Sequence, residues 1–248
     1  MKEFKHCSVL VSGGAGAIGS SVARTFVEVG ATVSVFDGTA TEIEGVSCYR
    51  VDLSDAAAVE AAFSELQVRQ GTPRLVVNCA SAEDERPMVS RCGPMPLSQF
   101  QHAISAHLIS AFNVIRVAAH HLKAVDAEAD GERGVIVNIA SISAFEGRAR
   151  QVAHAASSGA IVSLTTQLAR EFAPFGIRVV GIAPGVFEGD GPNSALADRG
   201  NSKFVPVLPN RIGRPEELAG LVVAVAGQVY INGVTIRQDG GLRMPPQV

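Results

Sequence analysis

Gly134-Val-Ile-Val-Asn-Ile139 begins the stretch of sequence that decides the fold. This run is rich in β-branched residues and stops at Ala140-Ser141, which predicts a buried strand. Val152 to Phe172 has apolar residues at helical spacing, and a second apolar run, Ile177 to Ile182, predicts another strand that ends at Ala183-Pro184-Gly185. A strand, a helix and a strand of these lengths form a right-handed βαβ unit with parallel strands.

The polar residues at the ends of these strands are the first candidates for a site. Ligands of open parallel sheets bind beyond the carboxyl ends of the strands, so Ser141 and Pro184-Gly185 are expected at the mouth of a site. His154 and Ser158 stand four residues apart in the predicted helix and therefore share a face.

A glycine-rich turn near the start of the chain predicts a nucleotide site. Ser12-Gly-Gly-Ala-Gly-Ala-Ile-Gly19 follows an apolar run, Cys7 to Val11, and precedes a helical pattern, Ser20 to Val29. Such a turn lets the backbone approach a pyrophosphate, and the helix N-terminus adds N–H groups and partial positive charge. Ala31 to Phe36 predicts a second strand, and Asp37 at its end suits a ribose 2′-hydroxyl and repels a 2′-phosphate, which favours NAD over NADP. A structural turn beside a solvated Asp37 stays open as the alternative.

The rest of the chain continues to alternate strands with helices. No internal linker or repeat interrupts it, so residues 1–248 are expected to form one α/β domain with a doubly wound parallel sheet, the Rossmann fold. Further strands are predicted at Val46–Val51, Leu75–Val77 and Tyr230–Arg237, and further helices at Asp55–Gln70 (with Ser54 as N-cap), Leu97–Ala124 and Pro215–Ala226. Loops are predicted at Glu83–Pro96 and Asp126–Arg133, and a cover over the site at Val186–Arg211, with a short helix around Ser194–Asp198.

Composition and charge exclude several classes of function. The chain of 248 residues is 47% hydrophobic, enough for a large core, and its net charge of −3 with no basic block does not suggest nucleic acid as a partner. The longest apolar run, Leu221 to Ala226, is too short to span a membrane. The four cysteines are scattered without a C-x-x-C motif, which indicates thiols in a reducing cytoplasm and no metal site, and a strand within the first residues leaves no room for a signal peptide.

These motifs together resemble the short-chain dehydrogenase/reductase family over nearly the whole chain. The resemblance rests on the glycine turn and Asp37, on Asp52-Leu53, Asn78-Cys79-Ala80, Phe112-Asn113-Val114, Val137-Asn138-Ile139, Ser141, Pro184-Gly185, Gly213–Glu217 and the segment from Gly233 to Gly241. Phe112–Arg116, Ala144–Gly147 and Ile236–Met244 are most similar to the branch of type II 3-hydroxyacyl-CoA and hydroxysteroid dehydrogenases. The resemblance implies NAD contacts from Ser12, Gly13, Ala15, Gly16, Ala17, Ile18, Gly19, Asp37, Asp52, Leu53, Cys79, Ala80, Ser81, Pro184 and Gly185.

The catalytic residues that the resemblance implies are mostly replaced. The family uses a Tyr as general acid and base, a Lys four residues later that holds the ribose, a Ser thirteen residues before the Tyr, and an Asn on the preceding long helix. At these positions the chain has His154, Ser158, Ser141 and His107, so only the serine is kept. The Thr that grips the carboxamide is Gly189, the second glycine of the turn is Ala17, and the Gly after Ala80 is Ser81.

Three functions follow from this pattern. The resemblance implies an NAD-linked oxidoreductase acting on a carbonyl or secondary alcohol, acyl-CoA substrates included, with activity impaired by the replacements. Because an imidazole titrates nearer neutrality than a phenol, His154 also permits altered proton transfer. A catalytically inactive NAD-binding or scaffold protein, and a non-redox enzyme that uses Ser141, His154 and His107, stay open as alternatives. The resemblance further implies a homotetramer, formed through the helices at 97–124 and 152–172, with Leu242–Pro246 reaching a neighbouring subunit.

Overall fold

A seven-stranded parallel sheet forms the centre of the molecule. The computed structural model describes residues 4–81, 85–128, 130–189 and 207–244. The strands of the sheet are β1 (Ser8–Ser12), β2 (Thr32–Asp37), β3 (Val46–Arg50), β4 (Leu75–Asn78), β7 (Gly134–Ile139), β8 (Ile177–Pro184) and β9 (Thr235–Gln238). Their order in the sheet is β3-β2-β1-β4-β7-β8-β9. It reverses between β1 and β4, which is the switch point at which such sheets bind ligands.

Helices cover both faces of the sheet. They are α1 (Ala17–Glu28), α2 (Ala56–Gln70), α3 (Leu97–Ile104), α4 (Ser110–Leu122), α5 (Val152–Phe172) and α6 (Pro215–Gly227). One buried cluster joins α1 and α6 to the sheet through residues such as Phe26 and Leu218, and a second joins α2, α4 and α5 through residues such as Phe63 and Ile115. The α/β doubly wound fold that the sequence predicts is therefore confirmed.

Some local predictions were wrong, each for a local reason. Asp55, not Ser54, caps α2, because the Asp55 carboxylate accepts a hydrogen bond from the Ala58 amide at 3.0 Å while the Ser54 hydroxyl is bound to Asp52. The last strand begins at Thr235, because Tyr230 lies fully exposed in the preceding turn.

The connection after β4 also differs from the prediction. The segment predicted as a loop contains a short hairpin, β5 (Val89–Ser90) and β6 (Gly93–Pro94). The long helix predicted at Leu97–Ala124 is interrupted by a π-helical turn, Ser105–Ile109. Within this turn the Ser110 hydroxyl donates to the Ser105 carbonyl at 3.0 Å. Turns of this kind occur frequently at functional sites, and this one carries His107.

A line of buried polar side chains crosses the sheet from β1 to α5. The Ser12 hydroxyl donates to Asn78 Oδ1 at 3.0 Å, Asn78 Nδ2 donates to Asn138 Oδ1 at 2.9 Å, and Asn138 Nδ2 donates to Thr165 Oγ1 at 3.1 Å. The Thr165 hydroxyl in turn donates to the Ile161 carbonyl at 2.8 Å. These bonds satisfy polar groups that would be costly to bury alone, and they connect the strand before the glycine turn to the helix that carries His154.

Parts of the earlier predictions fall outside the described residues. They are the short helix around Ser194–Asp198, most of the cover at Val186–Arg211, and the last residues of Leu242–Pro246. Among the described residues, no helix is both long and apolar enough to cross a lipid bilayer.

Candidate active site

The glycine turn between β1 and α1 leaves the backbone open to a ligand. Gly13 has φ +77°, and a Cβ at this position would lie 2.3 Å from the Ala80 amide nitrogen, so no other residue fits. Gly16 is the N-cap of α1; no side chain caps the first N–H groups, and the first turn carries no acidic residue. The N-terminus of α1 is therefore available to bind phosphate oxygens.

Asp37 and Asp52 end two neighbouring strands on one side of this turn. Asp37 Oδ2 accepts a hydrogen bond from the Ala15 amide at 2.9 Å, and its Oδ1 accepts one from the Thr39 amide at 2.8 Å. Each carboxylate oxygen keeps a further lone pair for a ribose hydroxyl. Asp52 accepts hydrogen bonds from the hydroxyl and amide of Ser54 at 2.7 and 2.9 Å, which lower the pKa of its carboxyl group.

An open cleft of about 950 Å³ runs past these groups. Its volume lies within the range of ordinary ligand sites, roughly 300–1,000 Å³. The cleft brings together nine of the residues predicted to bind the cofactor: Gly13, Ala15, Gly16, Asp37, Asp52, Leu53, Cys79, Ala80 and Ser81. The other predicted contacts do not line it: Ser12 is buried against Asn78, Ala17, Ile18 and Gly19 form the first turn of α1, and Pro184 and Gly185 lie at the end of β8.

Arg50 is a cleft residue that the sequence reasoning missed. It ends β3 directly opposite Asp37 in the strand register, and its Nε donates to the Gly38 carbonyl at 3.3 Å. No Arg or Lys occurs between Gly38 and Glu44, the residues that directly follow Asp37. The usable signal was the position of Arg50 two residues before Asp52, at the end of the neighbouring strand.

Ser141 lies on the other side of the switch point, after β7. It is 9% exposed, and its Oγ accepts a hydrogen bond from the Ser143 amide at 3.1 Å. The hydroxyl hydrogen is thereby left to donate to a substrate oxygen. Pro184 ends β8 beside it, and the Gly185 amide donates to the Gln238 carbonyl at 2.9 Å.

His154 and Ser158 are buried on α5, with exposed fractions of 6% and 0%. Neither His154 Nδ1 nor Ser158 Oγ has a hydrogen-bond partner among the described residues. Burial, together with the nearby His107 and Arg148, lowers the pKa of His154 from 6.5 to about 4. The His154 ring is therefore neutral at pH 7, because desolvation disfavours its charged form.

His107, in the π-helical turn, is held by two partners. Its Nε2 lies 3.2 Å from the Ile139 carbonyl oxygen and its Nδ1 lies 2.9 Å from Ser157 Oγ. A carbonyl can only accept, so Nε2 carries the proton and Nδ1 is an acceptor. The Ser157 hydroxyl lies within reach of this Nδ1 and of the His154 carbonyl oxygen at 3.1 Å, and its one proton is shared between these two acceptors. Burial lowers the pKa of His107 as well. Both ring nitrogens are thus engaged away from Ser141 and His154, and the three residues form no hydrogen-bonded relay.

Two further contacts shape this side of the site. Gly189 has φ +71°, and a Cβ there would lie 2.6 Å from the Ala17 Cβ, so the segment after β8 lies directly against the first turn of α1. The Arg148 side chain is 6% exposed and forms an ion pair with Glu85, which also accepts a hydrogen bond from Gln151 Nε2 at 3.3 Å. The sequence reasoning assigned no role to Arg148.

These residues fit one half of a dinucleotide better than the other. The free N–H groups of α1, the narrow passage at Gly13 and the Asp37 carboxylate suit a pyrophosphate and an adenosine ribose. On the side of β7 and β8, Ser141 can donate to a carbonyl, but Ser158 supplies no charge and leaves a buried hydroxyl unpaired. Within the described part of the chain, no three His, Cys, Asp or Glu side chains come together as a metal site requires.

Comparisons with known proteins agree with this geometry. Residues 8–199 match the family model described as short chain dehydrogenase. The 3-hydroxyacyl-CoA dehydrogenase type-2 of Bos taurus is 35% identical over 257 residues, which cover 99% of this chain and 98% of the bovine protein, and the Homo sapiens protein of the same name is 33% identical with the same coverage. The crystal structure of 3-hydroxyacyl-CoA dehydrogenase type-2 from Mycobacterium avium is 30% identical, covers 100% of both chains and superposes with a TM-score of 0.89.

The similarity thus extends over the full length of the relatives and includes both the glycine turn and the segment that carries Ser141. Proteins of this family generally use NAD or NADP. The chain belongs to the short-chain dehydrogenase/reductase family of oxidoreductases and resembles its 3-hydroxyacyl-CoA dehydrogenases.

Proposed function

We propose that the chain is an NAD(H)-linked oxidoreductase whose nucleotide cleft is kept and whose turnover is impaired. The observation that carries this proposal is the contrast between the two sides of the switch point. The cleft at Asp37 offers carboxylate oxygens and free N–H groups, whereas at the reaction end His154 is buried with a pKa of about 4 and Ser158 provides no cation.

The residues of this chain support part of a carbonyl reduction. NADH, when bound, supplies the hydride. Ser141 donates a hydrogen bond to the substrate oxygen and so polarises the carbonyl. His154 with a pKa of about 4 is protonated in roughly one molecule in 10³ at pH 7 and is a poor proton donor. Because a positioned general acid contributes about 10²–10⁴ in rate, the loss expected from this group alone is of that size.

The substrate class proposed is a small carbonyl compound or secondary alcohol, including 3-oxoacyl-CoA and 3-hydroxyacyl-CoA thioesters. Support comes from the similarity to the type-2 3-hydroxyacyl-CoA dehydrogenases over 99% of the chain. The four cysteines, Cys7, Cys48, Cys79 and Cys92, form no disulfide with one another, which supports a cytoplasmic location.

We further propose that the protein is a homotetramer. An apolar cleft of about 290 Å³ lies between α4 and α5, and it is lined by Phe112, Ile115, Leu168, Phe172 and Phe175. Phe112 and Phe175 are 47% and 45% exposed, which is a large apolar surface to leave in water. Burial of this face on a two-fold axis removes it from solvent.

An inactive NAD-binding or scaffold protein is the second candidate, favoured by the unpaired His154 Nδ1 and Ser158 Oγ. The non-redox enzyme is not favoured, because both nitrogens of His107 are engaged by Ser157 and Ile139.

The test combines a binding and a turnover measurement. NADH absorbance is followed with acetoacetyl-CoA and simple ketones, with the bovine relative assayed alongside, and NAD binding is measured by calorimetry. We expect NAD to bind and acetoacetyl-CoA to turn over at least 10²-fold more slowly than in the relative. NAD binding without turnover would favour the second candidate. Turnover equal to that of the relative, or no NAD binding, would overturn the proposal.

A further inference from the structure

The start of α5, at the reaction end of the site, is electropositive. This helix runs for 21 residues, its N-cap Gln151 forms no side-chain cap, and its first turn contains no acidic residue. The first N–H groups of such a helix carry partial positive charge. Arg148 adds a full charge in the turn directly before the helix, where the Gln151 amide donates to the Arg148 carbonyl at 3.2 Å. The start of α5 therefore favours a negatively charged group.

Two side chains of α5 have polar atoms that call for a partner. His154 Nδ1 and Ser158 Oγ are buried and have no hydrogen-bond partner among the described residues, which is rare in folded proteins. His154 stands in the first turn of α5, and its Cα–Cβ bond tilts towards the start of the helix. Burial, His107 and Arg148 together lower the pKa of His154, which places the Arg148 charge near this ring. A ligand bound at this helix end can supply the missing partner of His154.

A carboxylate of the protein itself lies against these positive groups. Glu85, in the segment after β4, forms an ion pair with Arg148 and accepts a hydrogen bond from Gln151 Nε2 at 3.3 Å. The Arg148 and Glu85 side chains are 6% and 25% exposed, so the cation is buried and the carboxylate is partly in water. The segments after the neighbouring strands β4 and β7 meet here, at the carboxyl ends where open sheets bind ligands. Glu85 therefore marks a place that binds a carboxylate.

We propose that this place is the subsite for the carboxylate of the substrate, and that a short oxo carboxylate displaces Glu85 from Arg148 when it binds. This inference rests on the proposed function and narrows its substrate class. The acid is short, because its carbonyl oxygen must reach Ser141, which precedes Arg148 by seven residues in the same connection between β7 and α5.

The exchange of one carboxylate for another explains why the subsite selects acids. Arg148 stays paired when a substrate carboxylate replaces that of Glu85, and its planar guanidinium suits a carboxylate with two parallel hydrogen bonds. A neutral ester that displaced Glu85 would leave a buried cation without a counter-ion, which is strongly unfavourable. The ester is therefore held at its carbonyl end alone.

The test compares the binding of oxo acids with that of their neutral esters. Pyruvate, acetoacetate and 4-oxopentanoate, and the methyl ester of each, are titrated by calorimetry into the full-length protein with and without NAD. NAD cannot reduce these ketones, so no turnover disturbs the measurement. We expect at least one acid to bind at least tenfold more tightly than its ester. A smaller ratio for all three acids, or no binding by any acid, would overturn the proposal.

Glu85→Gln distinguishes a displaced carboxylate from a purely structural ion pair. Because it removes the competing carboxylate, the preferred acid should bind at least tenfold more tightly than to the wild type, while its ester should bind as before. A structural pair predicts unchanged or weaker binding of the acid, and that result would overturn the proposal. Glu65→Gln is the matched control and should change no affinity, because Glu65 is ion-paired with Arg69 on the exposed face of α2.

Arg148→Gln should remove the preference, so that the Kd values of acid and ester agree within threefold. A cooperative thermal unfolding transition reports that the variant is folded. If it is not, Arg148→Lys takes its place and should show a reduced preference, because a Lys keeps the charge and lacks the paired donors of the guanidinium. A folded variant at this position with the full preference of the wild type would overturn the proposal.

Failure of the subsite and failure of the proposed function give different results. NAD binding tests the proposed function, and the acid titrations without NAD test the subsite. A protein that prefers acids and binds no NAD would keep the subsite and lose the proposed function. A protein that binds NAD and shows no preference for acids would do the reverse.

Discussion

The imidazole rings of His107 and His154 lie nearly parallel, with centroids 6.1 Å apart and 16° between their planes. They face each other without a hydrogen bond, because His107 is held by Ser157 and Ile139. Two imidazoles at this distance resist protonation together, and burial lowers both pKa values. Both rings are therefore neutral at pH 7. Protonation of either ring at acid pH puts a charge in a buried position, which destabilises the folded protein.

Acid should destabilise the protein through His154. Its pKa is 6.5 when unfolded and about 4 when folded, so the unfolded chain binds the extra proton first. The contribution of His154 to the free energy of unfolding is fully present above pH 6.5. It is lost as the pH falls towards 4, and the loss amounts to about 3 kcal/mol at most. Urea unfolding at several pH values should show a flatter dependence for His154→Gln, while His102→Gln, a change at an exposed position, should follow the wild type. Parallel curves for His154→Gln and the wild type would contradict this account.

Introducing the Tyr and Lys that the resemblance implies should raise activity. His154→Tyr together with Ser158→Lys is expected to raise ketone reduction at least tenfold, measured as NADH consumption. Each single change should have little effect on the rate. A Tyr without the Lys keeps a pKa near 10, and a Lys without the Tyr has no phenol whose pKa it could lower. Wild-type ketone activity that falls in the double variant would show instead that His154 is a working acid and base.

Adding His107→Asn to this double variant should raise the rate further, because it replaces a ring held by Ile139 and Ser157 with the Asn that the resemblance implies at this position. Ser64→Lys, at an exposed position on α2, is the control for an added surface cation. Made in the double variant, it should leave the rate unchanged.

Gly189 should not tolerate the Thr that the resemblance implies. The left-handed backbone costs a residue with a Cβ about 1–2 kcal/mol, and a Cβ would lie 2.6 Å from that of Ala17. Gly189→Ala should therefore lower the free energy of unfolding by at least this amount. Ala17→Gly removes the Cβ atom that a Cβ at residue 189 would meet. In a double-mutant cycle with Ala17→Gly, Gly189→Ala should therefore cost only the free energy of the left-handed backbone. Additive effects of the two changes would show that the residues do not touch.

NAD should bind at least tenfold more tightly than NADP. The Asp37 carboxylate repels a 2′-phosphate, although Arg50 stands opposite it in the strand register. Calorimetry with both cofactors gives the ratio of the two Kd values. Asp37→Ser should reduce this ratio, because Arg50 can then favour the 2′-phosphate of NADP. Arg50→Gln in the Asp37→Ser background should remove that gain. Equal or tighter NADP binding by the wild type would refute the prediction.

The apolar cleft between α4 and α5 should be the main subunit interface. Light scattering is expected to show a tetramer for the wild type. Phe112→Asp should yield smaller species, because it places a charge in a face that the assembly buries. Val68→Asp, at a position 89% exposed on α2, should leave the assembly unchanged. A monomeric wild type at micromolar concentration would exclude this assembly.

Long apolar patterns predicted the fold well. The helix expected at Val152–Phe172 has these same bounds in the structure, because its apolar residues recur at helical spacing and a buried strand follows closely. Boundaries that depend on a single side chain were less predictable. Ser54 and Asp55 are both good N-caps, and the choice between them was made by Asp52, which binds Ser54.

The site was predictable as a set of positions but not in its chemistry. Counting from Ser141 placed His154 and Ser158 correctly on one face of α5, yet the pKa of His154 depends on how deeply the folded chain buries it. Arg50 and Arg148 were missed for a related reason. Their positions beside Asp37 and His154 follow from strand register and loop packing, which no local sequence pattern encodes.

The buried line from Ser12 through Asn78 and Asn138 to Thr165 has a consequence for how this sequence can diverge. Every link runs in one direction, with each donor fixing which atom of the next residue must accept. Replacing any one of these residues leaves its neighbours without a hydrogen-bond partner. Tolerated substitutions along the line must therefore occur at several positions together. Substitutions at His154 and Ser158 leave this line intact, so the residues at the reaction end can change while the four positions that hold β1 and α5 in register cannot change one at a time.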